Sequence, residues 1–384
     1  MIKITFMGAG STVFAKNVLG DCIMTPSIEN QEIWLYDIDP VRLEDSNRML
    51  SNILKNSGRT DIKIFATLDR AAALAGAKYV VNAIQVGGYD PCTITDFEIP
   101  KKYGLRQTIA DTLGIGGIFR ALRTIPVMMD FANDMSRLCP DALFINYTNP
   151  MAMLSGYIQQ HTSIQTIGLC HSVQGCIPSL FKCIGMEDQI DKVKWESAGI
   201  NHQGWLLKVT DFAGNDLDPE ITRRSRDPQY AEARKNNQVR LEIMNRFGYY
   251  VTESSEHFSE YCPWFIKDKY PELIDRFNIP LDEYPRRCIN QIEGWKKMRE
   301  ELTNDANLEH KKSKEYAAYI IEAMETDKPY RVHGNVLNTE TMLEAQREPE
   351  KHQNLQIRVC GWNEYFVRMN GAMQDTFIAQ LTEV

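Results

Sequence analysis

The chain has 384 residues with 43 Lys or Arg, 51 Asp or Glu and a formal net charge of −8, and 43% of its residues are hydrophobic. This length favours two domains, and the hydrophobic fraction suffices for a packed core, which excludes a disordered or collagen-like chain. The negative charge argues against nucleic acid as the main partner, because phosphate binding needs a basic surface. No apolar run approaches the roughly 18 residues of a transmembrane helix, so we expect no membrane partner.

Nine cysteines are scattered along the chain without any Cys-x-x-Cys pair. A secreted disulfide framework is typically even in number and dense in a shorter chain. The glycine motif that begins at Gly8 also lies so close to Met1 that we expect no signal peptide. The sequence therefore predicts a reducing compartment and a cytoplasmic location, in which each cysteine is a core thiol or a candidate ligand.

The first predicted element is a short buried strand, 3–7, which runs into a glycine motif at 8–12. Apolar residues at helical spacing follow over 13–23, and a second strand, 33–36, ends at Asp37. Glycines let the backbone approach a pyrophosphate, and an acid at the second strand end binds the ribose of NAD rather than NADP. This unit predicts NAD binding by Gly8, Gly10, Ser11, Thr12 and Asp37. An ordinary tight turn is the alternative.

The next elements continue an alternating pattern of helices and strands. Pro40 begins a helix for which Asp39 is the expected N-cap and Gly58 the C-terminal residue. Apolar segments at 79–88 and 141–146 read as later strands of the same sheet. Each ends in glycine or polar residues, which is where an open α/β sheet binds its ligands.

Two residues in the middle of the chain are candidate metal ligands. Cys170 ends the apolar run 166–169, and His202 ends the glycine-containing segment 198–202. A thiolate and an imidazole are both credible ligands for a first-row divalent metal ion. A core thiol and a hydrogen-bonded core histidine are the alternative.

Five segments occur in a specific order along the chain. They are Gly8-Ala9-Gly10-Ser11-Thr12, Asp111-Thr112-Leu113-Gly114-Ile115-Gly116-Gly117, Asn146-Tyr147-Thr148-Asn149-Pro150, Cys170-His171-Ser172-Val173 and Gly199-Ile200-Asn201-His202. Together they resemble glycoside hydrolase family 4 and, within it, the NAD- and manganese-dependent α-galactosidases. The resemblance runs from residue 1 to about 335 and includes the segment 252–258.

The resemblance implies an α/β fold in three parts. A Rossmann-like NAD-binding domain would span 1–165, and an α+β catalytic, metal-binding domain of the lactate/malate-dehydrogenase-like type would span 166–335. A tail unlike the family would occupy 336–384. Because family members continue beyond this point, we expect a truncated catalytic domain, whose uncovered apolar surface would be hidden by the tail, by oligomerisation or not at all. We expect a homo-oligomer.

The resemblance also implies a reaction. Most glycosidases use two carboxylates, but this NAD-dependent family is an exception. NAD would oxidise C3 of an α-D-galactoside of the melibiose or raffinose type, which acidifies the C2 proton, and Mn²⁺ held by Cys170 and His202 would stabilise the resulting charge. Loss of that proton would expel the aglycone, water would add at C1, and NADH would reduce C3 again. The net reaction would be hydrolysis.

Residue by residue, the resemblance assigns three further roles. Asn149 would contact the sugar, and His171 would be the general acid, since an imidazole can protonate a leaving oxygen near neutral pH. For the base that takes the C2 proton, Tyr249 is the first choice and His257 is its rival. A phenol needs a neighbouring cation or metal ion to act as a base at pH 7.

Some charged residues are open to a structural interpretation instead. Glu253, Glu256 and Glu260 have near-helical spacing, which is typical of a solvated acidic face. Arg120 and Arg123 either anchor the cofactor or the sugar, or form surface ion pairs.

The tail suggests an additional hypothesis. Residues 338–380 resemble the C-terminal glycyl-radical segment of pyruvate formate-lyase-type enzymes, in which Gly361 would carry the radical. Such enzymes need a separate barrel with a reactive cysteine, which the residues before 335 do not supply, so a passenger tail is the alternative. For the whole chain the alternatives are an NAD-dependent 2-hydroxy-acid dehydrogenase, with His202 at the site of hydride transfer, and an inactive NAD-binding remnant.

Overall fold

The computed structural model describes residues 2–11, 13–303, 310, 317–326, 339–353, 355–359 and 362–382. The strands are β1 (Ile2–Met7), β2 (Gln31–Tyr36), β3 (Lys63–Thr67), β4 (Tyr79–Asn82), β5 (Leu143–Asn146), β6 (Thr166–Gly168), β7 (Val193–Ile200), β8 (Gln203–Asp211), β9 (Tyr250–Val251), β10 (Gln356–Val359) and β11 (Trp362–Tyr365).

The described residues also form α-helices. They are α1 (Gly20–Ile23), α2 (Pro40–Ser57), α3 (Arg70–Leu74), α4 (Ile94–Lys102), α5 (Gly114–Leu138), α6 (Met151–His161), α7 (Cys176–Cys183), α8 (Asp218–Ser225), α9 (Gln238–Phe247), α10 (Ser255–Tyr261), α11 (Glu272–Arg276), α12 (Glu283–Thr303), α13 (Ala318–Thr326), α14 (Thr339–Arg347) and α15 (Gly371–Thr382). Among the described residues, none of these helices combines the length and the apolar character needed to cross a bilayer.

The first six strands form one parallel sheet in the order β3-β2-β1-β4-β5-β6. Alternate residues of β1 pack into two hydrophobic layers, with Ile4 and Phe6 on one face and Met7 on the other. A sheet covered on both faces is the arrangement expected for parallel strands, and this strand order confirms the predicted Rossmann-like α/β domain. The predicted boundary after residue 165 falls immediately before β6, so the sheet extends three residues past it.

Local sequence signals account for the first helices. The predicted helix over 13–23 is observed as a π-helical turn, Ala15–Leu19, that continues into α1. The predicted start of α2 is confirmed, because Asp39 Oδ1 accepts hydrogen bonds from the N–H groups of Val41 at 2.9 Å and Arg42 at 3.1 Å. Gly58 ends this helix with a φ of +71°, a left-handed conformation that glycine adopts without strain.

The second part of the fold is α+β, as predicted. The strands β7 and β8 form an antiparallel hairpin in which Ile200 pairs with Gln203, so Asn201 and His202 make a two-residue turn. The short strand β9 pairs with β8 through Leu206 and Tyr250. Helices α7, α8 and α9 contribute to one hydrophobic cluster with this sheet. The hairpin turn lies beside the Rossmann-like domain, because His202 contacts Cys170, which follows β6.

The described part of the predicted tail packs into the main hydrophobic core. It consists of α14, the antiparallel hairpin β10–β11 and α15. Phe366, Met373 and Phe377 are fully buried in the same cluster as Ile4 and Phe6 of β1. The described part of the tail therefore covers apolar side chains of the layer that contains β1, while the truncated catalytic domain and the oligomer stay predictions.

Candidate active site

The carboxyl ends of the parallel strands meet at one edge of the sheet. Gly8 follows β1, and Asn82 and Asn146 end β4 and β5, with Asn82 Nδ2 donating to Asn146 Oδ1 at 2.9 Å. Cys170 lies two residues beyond β6. The strand order reverses direction between β1 and β4, and such a switch point opens a crevice in which open α/β sheets bind their ligands.

The glycine turn after β1 has no room for side chains. Gly8 has a φ of +84°, and a Cβ there would lie 2.9 Å from the carbonyl oxygen of Ala83. Gly10 donates its N–H to Asp37 Oδ2 at 2.7 Å, and a Cβ on Gly10 would lie 2.9 Å from the same oxygen. The structure thus brings Gly8, Gly10 and Asp37 together at the ends of β1 and β2.

The remaining residues predicted to bind the cofactor adjoin this turn. Ser11 Oγ accepts a hydrogen bond from the N–H of Phe14 at 3.1 Å. Asp37 Oδ1 accepts the N–H of Asp39 at 2.9 Å, so both carboxylate oxygens are oriented by the backbone. Thr12 lies outside the described residues.

Three potential metal ligands converge at the end of β6. Cys170 Sγ lies 3.1 Å from His202 Nε2, and Glu253 Oε2 lies 3.2 Å from the same nitrogen. All three ligand atoms are within 4.8 Å of one another. We call these residues the Cys–His–Glu cluster. The two predicted ligands are therefore adjacent, although 31 residues separate them in the sequence.

A tight turn presents the histidine of this cluster. His202 has a φ of +59°, a conformation that residues other than glycine rarely adopt and that is often found at functional sites. Gly199 permits the turn, because a Cβ there would lie 2.5 Å from the carbonyl oxygen of Gln203. On the other side of the ring, His202 Nδ1 lies 2.8 Å from Tyr261 Oη. With its proton on Nδ1, the ring donates to Tyr261 and presents Nε2 to the cluster.

The electrostatics of the cluster favour a positive charge at its centre. Burial opposes ionisation of His202, but Cys170 and Glu253 outweigh it and raise the pKa of His202 to about 10. Burial likewise opposes ionisation of Glu253, yet the imidazoles of His202 and His257 hold its pKa at about 2. Since His202 and Glu253 are only 5% and 6% exposed, a cation placed between them is poorly screened by solvent.

A chain of polar contacts links the cluster to Asn149, the predicted sugar contact. His257 Nδ1 lies 3.4 Å from Glu253 Oε1, and its Nε2 lies 3.9 Å from Asp111 Oδ1. Asn149 Nδ2 then donates to Asp111 Oδ2 at 3.0 Å. The predicted metal ligands and the predicted sugar contact therefore border one continuous polar region.

Arg120 supports the same region from within the fold. Its Nε donates to the carbonyl oxygen of Asn149 at 3.1 Å and its guanidinium donates to Tyr284 Oη at 2.8 Å. Arg120 is 8% exposed, so it does not form a surface ion pair. Arg123 instead makes a bidentate pair with the buried Asp96, at 3.0 and 2.7 Å, and anchors α5 to α4.

The two residues predicted to transfer protons lie in different surroundings. His171 directly follows Cys170 and is exposed. Tyr249 precedes β9 and is 47% exposed, and no contact between it and the Cys–His–Glu cluster is found among the described residues. Three residues lie between Tyr249 and Glu253, and two of them form β9. The structure therefore brings His257, and not Tyr249, beside the cluster.

The near-helical spacing of the acidic residues at 253–260 indicated a solvated face. The structure shows instead that these residues have specific partners. Glu253 belongs to the cluster, and Glu260 accepts backbone N–H groups of residues 108–110 at 2.7–3.2 Å. Glu256 pairs with Arg287. Tyr261, which sequence reasoning missed, lies four residues after His257, a spacing that places both on one face of α10 and could have indicated it.

The observed groups fit a divalent metal ion and a dinucleotide. A thiolate, an imidazole and a carboxylate form a donor set typical of first-row divalent ions. Beside His202, Asn201 is 8% exposed, and neither atom of its side-chain amide has a hydrogen-bond partner among the described residues. A buried amide without partners is costly unless a ligand satisfies it. The glycine turn at the switch point has the form that dinucleotide phosphates require.

Sequence models of one enzyme family match most of the chain. The model described as family 4 glycosyl hydrolase matches residues 3–186, and the model of the family's C-terminal domain matches residues 197–345. The second match extends into α14, within the predicted tail. The resemblance of the tail to glycyl-radical enzymes stays a prediction, and Gly361 lies outside the described residues.

Individual relatives agree with the family models. An α-galactosidase of Bacillus subtilis (strain 168) is 59% identical over 339 residues, which cover 88% of this chain and 77% of the relative. An α-galactosidase of Rhizobium meliloti (strain 1021) is 32% identical over 353 residues, covering 88% and 69% of the two chains.

Solved structures share the fold at lower sequence identity. A putative glucosidase from Bacillus subtilis has a TM-score of 0.71 at 23% identity, covering 84% of this chain and 76% of the other. A 6-phospho-α-glucosidase from gut microorganisms, solved in complex with NAD and Mn²⁺, has a TM-score of 0.65 at 18% identity, covering 86% and 76%. The two family models, together with the 59% and 32% identity to the two α-galactosidases, show that the chain belongs to family 4 of the glycosyl hydrolases.

Proposed function

We propose that this protein hydrolyses small α-D-galactosides with the help of bound NAD and Mn²⁺. The observation that supports the metal-dependent reaction best is the convergence of Cys170, His202 and Glu253 within 4.8 Å at the end of β6. The substrate class is supported by 59% identity to an α-galactosidase over most of the chain. Melibiose and raffinose are the corresponding natural substrates.

The two ends of the crevice would hold the two cofactors. Gly8 and Gly10 would approach the pyrophosphate of NAD, and Asp37 would accept hydrogen bonds from its ribose. Cys170 and His202 would bind Mn²⁺. When bound, NAD supplies reversible hydride removal at C3 of the sugar and Mn²⁺ stabilises the negative charge that develops on the sugar oxygens.

The side chains around the cluster would position the sugar and move its protons. Asn149, oriented by Asp111 and Arg120, would bind a sugar hydroxyl. His171, exposed beside the metal ligand Cys170, would donate a proton to the leaving oxygen. The buried surroundings of the cluster would exclude bulk water while C2 is deprotonated.

For the base at C2 we propose His257 in preference to Tyr249. His257 lies between Glu253 and Asp111 and so adjoins both the metal ligands and the sugar contact. An imidazole is a competent base near pH 7, whereas a phenol would need a cation close by. Tyr249 is exposed and stays a second candidate.

The experiment uses p-nitrophenyl α-galactoside with the purified full chain. Cleavage should require NAD⁺, Mn²⁺ and a reducing agent together, and each omission should abolish it. Run in D₂O, the reaction should yield galactose with deuterium at C2, because the C2 proton is exchanged only if it is removed. Cleavage that survives complete removal of NAD⁺ and metal ions, or product without deuterium at C2, contradicts the proposal.

The same assay separates the alternatives. A 2-hydroxy-acid dehydrogenase accumulates NADH with its substrate, while the proposed hydrolase returns NAD⁺ in each turnover. An inactive remnant binds NAD⁺ without cleaving any galactoside.

We also propose a cytoplasmic location and a homo-oligomeric assembly. The eight described cysteines are free thiols, as a reducing compartment would maintain them. Light scattering of the purified protein measures its assembly directly, and a monomer at micromolar concentration would contradict the expected oligomer.

A further inference from the structure

Three side chains of different chemistry aim one atom each at the same point. Besides the two ligands proposed above, the carboxylate of Glu253 lies 3.2 Å from His202 Nε2 and is 6% exposed. We propose that Glu253 is a third protein ligand of the metal ion and sets the preference of the site for Mn²⁺. This inference rests on the proposed metal site, but not on the identity of the sugar.

The carboxylate of Glu253 is oriented for this role. Its Oε1 accepts the N–H of Ser254 at 2.8 Å and faces His257 Nδ1 at 3.4 Å. These contacts hold one oxygen away from the cluster and turn Oε2 towards His202. A ligand fixed in this way loses little conformational freedom when the ion binds.

The other two ligands are also held in place. Tyr261 Oη lies 2.8 Å from His202 Nδ1, which leaves Nε2 as the nitrogen that faces Glu253 and Cys170. The N–H of Ser172 donates to Cys170 Sγ at 3.5 Å. The separations of 3.1 and 3.2 Å, with all three ligand atoms within 4.8 Å of one another, are short enough for one ion to contact all three atoms.

The chemistry of the third ligand decides which ion is preferred. Thiolate and imidazole alone suit Zn²⁺, which binds nitrogen and sulfur donors tightly. A carboxylate is a hard oxygen donor of the type that Mn²⁺ favours. Two negative ligands, Cys170 and Glu253, also balance the charge of a divalent ion in a buried site.

The test measures metal affinity of the metal-free full chain without any sugar, by titration calorimetry and by the electron paramagnetic resonance signal of free Mn²⁺. In Glu253→Gln, the dissociation constant for Mn²⁺ should rise at least about tenfold, while that for Zn²⁺ should change much less. Glu256→Gln is the matched control, since Glu256 lies three residues away and pairs with Arg287. It should bind Mn²⁺ like the wild type.

Unchanged Mn²⁺ affinity in Glu253→Gln, or equal losses for Mn²⁺ and Zn²⁺, overturns the inference. If circular dichroism shows that this variant is unfolded, Glu253→Asp replaces it. The aspartate keeps the charge but withdraws the oxygens by one methylene, so Mn²⁺ affinity should fall, and wild-type affinity again overturns the inference. The galactoside assay reports separately on the proposed function, so the two can fail independently.

Discussion

Asn149 donates a hydrogen bond from Nδ2 to Asp111 Oδ2 at 3.0 Å and thereby joins the loop after β5 to the segment that leads into α5. Thr112 Oγ1 donates to the other carboxylate oxygen at 2.8 Å. Asp111 therefore fixes the orientation of the predicted sugar contact from a position that is 6% exposed.

Replacing the carboxylate of Asp111 should lower the catalytic efficiency of galactoside cleavage. Asp111→Asn puts an amide N–H₂ against existing donors, and a lost hydrogen bond to a charged group costs about 1.5–3 kcal/mol. We expect kcat/KM for p-nitrophenyl α-galactoside to fall about 10- to 100-fold. Asp130→Asn, on the exposed side of α5, should leave it unchanged. Equal activity of the two variants would show that Asp111 does not position the sugar.

The base can be identified by a pair of variants. His257→Asn should abolish both cleavage and deuterium incorporation at C2, because His257 adjoins the cluster and Asp111. Tyr249→Phe removes an exposed hydroxyl and should leave both rates within about threefold. The measurement is the initial rate of each process in D₂O. The opposite pattern would assign the base to Tyr249.

Replacing Asp37 should weaken NAD⁺ binding, whereas replacing Asp39, two positions later, should reduce only the stability of the fold. Asp37→Ala removes the carboxylate beside Gly10 and should raise the dissociation constant for NAD⁺ about 10- to 100-fold, measured by fluorescence titration. Asp39→Ala removes the N-cap of α2 and should instead lower the free energy of unfolding by about 1 kcal/mol. NAD⁺ affinity that is equally reduced in both variants would argue against a specific role of Asp37.

The tail should contribute to stability. Phe377 of α15 is fully buried in the cluster that contains β1, and truncating such a phenylalanine costs about 3–5 kcal/mol. We therefore expect Phe377→Ala to lower the midpoint of urea unfolding strongly, whereas Asp375→Asn, on the exposed side of α15, should change it little. If both variants unfold like the wild type, the tail is a passenger.

Stability should depend on pH through Glu220 of α8. Hydrogen bonds from Arg223 and Arg224 lower the pKa of Glu220 from 4.5 to about 2. Because the folded-state pKa is depressed, this contribution is complete above pH 4.5 and is lost as the pH falls through about 2. The difference in urea midpoint between the wild type and Glu220→Gln should thus be largest near pH 7 and shrink towards pH 3. A constant difference would exclude this linkage.

Some features of the fold and the site follow from short stretches of sequence. The start of α2 at Asp39 and Pro40, its end at Gly58 and the glycine turn after β1 depend on neighbouring residues only, so local rules predict them. The ordered motifs around Gly8, Asn149 and Cys170 likewise indicated the family. Periodicity was misleading for Glu253, because near-helical spacing does not tell which side of a segment is buried.

The sequence by itself determined the class of the fold, the family and the candidate ligands Cys170 and His202, because these depend on local pattern and residue type. The tertiary structure decided which side chains meet. Glu253 joins the cluster because β9 pairs with β8 and the N–H of Thr252 donates to the carbonyl oxygen of Gly204, which brings the next residue to the hairpin turn. Phe377 is buried because α15 packs over the layer that contains β1. Contacts of this kind depend on long-range packing, which a single sequence does not encode in any local pattern.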